Sequence, residues 1–97
     1  MTTVTSPANE PASATEQVVR RHAAELGELA AAHGIHDLRF ASPGRLLGRL
    51  DPERDTLDMA AFAAGAEDLL GAPVQLLSDA VLGKANVSLD LVHATAL

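Results

Sequence analysis

Ser42-Pro43-Gly44 constrains this chain more than any other stretch, because it separates two short apolar segments. Proline pre-sets φ and glycine tolerates positive φ, so the three residues read as a tight turn. In the segment before the turn, residues 35–41, Leu38 and Phe40 alternate with Asp37 and Arg39, which predicts a half-buried strand. In the segment after it, residues 45–50, Leu46 and Leu47 are adjacent, so both faces of a second strand are expected to be covered. So short a connection joins only antiparallel neighbours.

Helical patterns flank this hairpin. Ser13 and Glu16 have the spacing of a capping box. Val19, Ala23, Leu26, Ala30 and His33 then recur at steps of three and four, with Leu29 widening the stripe, and Gly34 stops the helix. After a polar loop, Asp55 and Asp58 have N-cap and third-residue spacing for a second helix running to Leu70. Met59, Phe62, Ala66, Leu69 and Leu70 form its inner face, while Gly71 and Pro73 end it. Residues 73–77 read as a third strand, and Val87, Leu91 and Ala94 as a short last helix. The expectation is a small α/β domain of order α-β-β-α-β-α, with a mixed three-stranded sheet and helices on one face. It occupies residues 12–97, behind a disordered arm at residues 1–11.

Composition narrows the function. The chain has 97 residues, 13 acidic against 7 basic, a net charge of −6, two Phe and no Trp or Tyr. Nucleic-acid binding relies on cations for phosphates and aromatics for bases, so this balance argues against it and suits a basic protein partner. Absence of Cys removes disulfides, thiolate metal sites and Cys nucleophiles. No apolar run reaches the roughly 18 residues of a membrane span, and no signal peptide is evident, so a cytoplasmic location is expected. A fold this small gains from a partner or a second copy.

The ordered segments resemble the minimal nucleotidyltransferases of the DNA polymerase β superfamily, many of which are the antitoxin halves of toxin–antitoxin pairs. "HGIHDLRFAS" resembles their first strand and its Phe-Gly-Ser, with Ala41 for Gly. "RLLGRLDPERDTLDMAAFAAGAEDLLGAPVQLLS" resembles the second strand, loop, helix and third strand, and "LVHATAL" the final helix and closing residues. The resemblance implies a truncated nucleotidyltransferase-like fold. The insert after Ser42 is missing. The family's Asp-x-Asp falls on Pro43 and Arg45, and its third acid on Gln75. Those acids hold the magnesium ions that bridge nucleotide phosphates. Proline offers no ligand, arginine repels the metal, and glutamine gives one neutral oxygen.

The implied reading is a pseudoenzyme without cofactor or metal, retaining Ser42, Gly44 and Arg45 as a nucleotide-binding remnant. Its implied partner is a helical, RNA-cleaving toxin of the HEPN class. The alternatives are an active enzyme using Asp51, Asp55 or Asp58, and a structural homodimer. The carboxylates of residues 51–58 also hint at a calcium loop, but Thr56 stands where glycine is needed and Phe62 where glutamate is needed. Solvated loop charges and a helix cap are the simpler expectation. Arg39, Arg45 and Arg49 are expected to pair with Asp51, Glu53 or Asp55. His33 and His36 sit three apart but lack convergent zinc ligands.

Overall fold

The computed structural model describes residues 14–84 and 86–97. The expected arm at residues 1–11 and the Ser13 cap lie outside these. The first predicted helix is two helices, α1 (Glu16–Arg21) and α2 (Ala23–Ala32), separated at His22, where φ is −104° and ψ 20°. The His22 N–H reaches both Val18 O and Val19 O, tightening the last turn of α1, and its own carbonyl starts α2 by accepting from Leu26 N. Thr15 is the N-cap of α1, its hydroxyl accepting from Val18 N at 3.4 Å. Glu16 pairs instead with Arg20 one turn on, at 2.8 Å. Val19, Leu26 and Ala30 stay buried through the break, so the predicted apolar stripe survives it.

The hairpin forms as read: β1 (Ile35–Ser42) and β2 (Arg45–Leu50) are antiparallel. Pro43 and Gly44 are its turn, with Gly44 at φ +80°. The register slips twice. His36 faces Arg49 but Arg39 faces Leu47, so Asp37 and Leu38 together oppose Gly48. Asp37 takes φ +54° at this bulge, which brings Ile35 onto the buried side beside Leu38 and Phe40. Phe40 then faces Leu46 and Ser42 faces Arg45, leaving Ala41 without a partner.

A crossover through α3 (Thr56–Leu70) leads to β3 (Gln75–Ser78), which pairs parallel to β2. Asp55 and Asp58 form the capping box expected of them, and Gly71 ends the helix at φ +70°. The third strand begins two residues later than its apolar pattern suggested. A 3₁₀ helix (Asp79–Gly83), α4 (Leu89–Val92) and β4 (Thr95–Ala96) follow. The sheet is therefore four-stranded and mixed, of order β3-β2-β1-β4, not three-stranded. The closing residues expected to end a helix form β4 against Phe40 and Arg39 of β1. A two-residue strand has no periodicity of its own, so it is visible only through its partner.

The main core lies under α1, α2 and α3, where Val19, Leu26, Ile35, Leu46 and Phe62 are fully buried. Leu47 is also fully buried, yet it lies outside that cluster. It faces the other side of the sheet, where the 3₁₀ helix lies against β2 and α4 against β1. Both faces are thus covered, as the Leu46-Leu47 pair implied, rather than one face alone. No helix among the described residues is long and apolar enough to cross a membrane.

Candidate functional site

The turn end of the hairpin collects Ser42, Gly44 and Arg45. Ladder partners share a face, so Ser42 lies with Arg45 on the side away from the main core. Strict alternation from Leu38 and Phe40 would have turned Ser42 into the core. The unpaired Ala41 reverses it.

Asp90, at the start of α4, meets both residues. Ser42 Oγ donates to Asp90 Oδ2 at 2.6 Å, and Arg45 Nη1 donates to the same oxygen at 2.8 Å. The Ser42 hydrogen bond holds the Asp90 carboxyl below its ordinary pKa of 3.8; burial opposes this and the Arg45 charge reinforces it. Arg45 Nε and Asp90 Oδ1 are buried without a hydrogen-bond partner among the described residues. Nothing in the sequence marks Asp90. It is 48 residues from Ser42, on a helix of only four residues.

Gly44 is fully engaged through its peptide. Its N–H donates to Ala14 O at 3.0 Å and its carbonyl accepts from Gln75 N at 2.8 Å. Arg45 and Gln75 are partners across the β2–β3 ladder. Pro43, Arg45 and Gln75 therefore converge at one end of the sheet, where the carboxylate bonded to Arg45 is that of Asp90 and Glu67 accepts from Val74 N at 3.2 Å.

The candidate carboxylates of residues 51–58 lie at the opposite end. Asp51 follows β2, roughly 20 Å along the strand from the turn. Its Oδ1 lies 3.0 Å from His36 Nε2, and its N–H donates to Gly34 O at 2.8 Å. Asp55 caps α3, accepting from Leu57 N at 3.0 Å. Asp58 completes the capping box and lies 3.2 Å from Arg54 and 3.7 Å from His33. These side chains are occupied with local structure, and a single chain does not bring them to Arg45. Among the described residues no three His, Asp or Glu side chains gather closely enough to hold a metal.

The arginines do not take the loop partners expected of them. Arg45 pairs with Asp90 and Arg49 with Asp37 at 2.8 Å, while Arg39 has no ion pair among the described residues. His22 pairs with Glu25 at 2.9 Å, so His22, His33 and His36 each lie beside a different carboxylate rather than with one another.

Two grooves flank the sheet. One, of about 650 Å³, runs between α2 and the start of β1, past Gly27, Ile35, Asp37 and Arg49. The other, of about 380 Å³, lies between α3 and β3. Neither includes Ser42, Arg45 or Asp90. Comparison with protein-family models, curated proteins and solved structures found no match.

Proposed function

We propose that this chain is a non-catalytic protein-interaction module, a pseudo-nucleotidyltransferase of the antitoxin kind that blocks a HEPN-type toxin by occupying its surface. The observation that carries this reading is the pairing of Arg45 with Gln75 across adjacent strands beside Pro43. The positions at which the resemblance requires acids are neighbours in space, and they hold a cation, an amide and an imino ring. Among the described residues the carboxylates at this end are already engaged, Asp90 Oδ2 by Ser42 and Arg45 and Glu67 Oε2 by Val74 N, which leaves a divalent metal poorly served. The net charge of −6 favours a basic partner, as an RNA-cleaving toxin would be.

A thermal-shift titration with Mg²⁺ and nucleoside triphosphates tests the non-catalytic half. No change in melting temperature is expected; a Mg²⁺-dependent rise that Asp55→Asn removes would restore the enzyme reading. Mixing with a purified HEPN-type toxin tests the other half. Stoichiometric loss of RNA cleavage, with the toxin's mass unchanged on dissociation, is expected. Nucleotide added to the toxin would overturn the steric mechanism, and absence of binding would overturn the partner.

A further inference from the structure

We propose that the outer edge of β3, together with the exposed face of α3 beside it, is the contact surface for a second copy of this chain. The dimer joins two β3 strands antiparallel about a two-fold axis at Leu76.

The two edges of the sheet differ. At the β4 edge, the Arg20 guanidinium covers the backbone: Nη1 donates to Ala96 O at 2.8 Å and Nη2 to Thr95 Oγ1. A charged side chain laid over an edge is a common way to prevent strand addition. Among the described residues the β3 edge is guarded only just ahead of the strand, where the Glu67 carboxylate lies on the Val74 backbone. Gln75-Leu76-Leu77-Ser78 has no charge and no proline, and it pairs with β2 in unbroken register. Gln75 N points to β2, where it donates to Gly44 O, so by alternation the Leu76 N–H and C=O point outward. The outward N–H of Val74 is already held by Glu67 Oε2 at 3.2 Å. Among the described residues, Leu76 is therefore the one at which the edge offers an open donor and acceptor pair.

That chemistry is self-complementary. In an antiparallel ladder a hydrogen-bonded pair exchanges both its N–H···O bonds. Two copies of Leu76 across a two-fold satisfy this with identical partners, as an isologous contact requires. The neighbouring helix matches it. Thr56, Met59, Ala60 and Ala63 line the groove against β3, and Leu57, at 75% exposure, stands on the same first turns of α3. Small residues let the two symmetry-related helices approach closely. None of the groove-lining residues is charged, in a chain that is 21% charged. The groove lining therefore adds no like-charge repulsion between copies, and the charge beside it is Glu67, already bonded to Val74 N.

Area sets the strength. A four-residue strand and a fifteen-residue helix side by side present roughly 450 Å² per copy, about 900 Å² for the pair, against about 1,600 Å² for a standard interface. The dimer therefore belongs to the weak, exchanging class. Each copy carries a net charge of −6, so added salt strengthens it by screening the repulsion.

Sedimentation equilibrium of the full chain from micromolar to millimolar concentration tests the proposal. A mass rising from monomer towards dimer is expected, with tighter association in higher salt. Ala60→Arg, on the exposed face of α3, should weaken dimerisation by about tenfold or more. Leu89→Arg, on the exposed face of α4, should leave it unchanged. Leu76 amide exchange should slow as concentration rises. A monomer at millimolar concentration, a dimer indifferent to Ala60→Arg, or a Leu76 amide indifferent to concentration would each overturn it. None of these results depends on whether a toxin is bound.

Discussion

Ser42 and Asp90 share a 2.6 Å hydrogen bond across 48 residues of sequence, and this contact ties α4 to the turn end of the hairpin. Arg45 completes the tie. The Ser42 and Arg45 side chains are thereby spent on holding the C-terminal segment over the second face of the sheet.

The tie is acid-sensitive. Asp90 has a folded pKa below its ordinary 3.8, so the unfolded chain takes up the proton first. Its contribution to stability is complete above that value and is lost as pH falls through the lower, folded value. Acid should therefore loosen α4. Amide exchange at Leu91, followed from neutral to strongly acidic pH, is expected to accelerate at the acidic end in the wild type. In Asp90→Asn it should be faster at neutral pH and lack the acidic step.

Gly48 stands opposite the bulge formed by Asp37 and Leu38. A Cβ there would lie 2.8 Å from Ile35 Cγ2 and 3.3 Å from Leu38 Cδ2. Both neighbours are buried and cannot swing out to solvent. Gly48→Ala should cost about 1–3 kcal/mol through overpacking. Urea denaturation checks this as a lower midpoint with an unchanged slope.

Gly27 is the opposite case. It lies in the interior of α2 with nothing within 4 Å of where its Cβ would be. The slack has no packing use. Gly27→Ala should stabilise the fold by about 1 kcal/mol, a rise of roughly 4–8 °C in melting temperature for a domain of this size. Calorimetry reads it directly.

Asp55 separates a structural role from a metal-binding one. Asn caps a helix nearly as well as Asp, whereas Ala does not. Asp55→Ala should lose about 1 kcal/mol and Asp55→Asn only a few tenths, with both values independent of Mg²⁺. Thermal melts of the two variants with and without Mg²⁺ provide the check.

Local chemistry made much of the fold legible. Pro43-Gly44 dictated the hairpin, Asp55 with Asp58 the start of α3, and Gly34 and Gly71 two ends. Each is a short-range conflict or satisfaction of backbone groups, decided within a few residues. The break at His22 was not legible, because the apolar stripe runs through it undisturbed. Nor was β4, whose hydrogen bonds belong half to β1.

The candidate site divides along the same line. The identities of Pro43, Arg45 and Gln75 are legible in the chain, since residue identity needs no folding to be read. Their meeting at one end of the sheet, the turning of Ser42 by the unpaired Ala41, and the arrival of Asp90 were decided only by tertiary structure. A bulge changes which face a side chain takes without changing any residue, and a contact between distant segments forms only once the sheet between them has closed. For that reason the residue types were readable from the chain, while their partners were not.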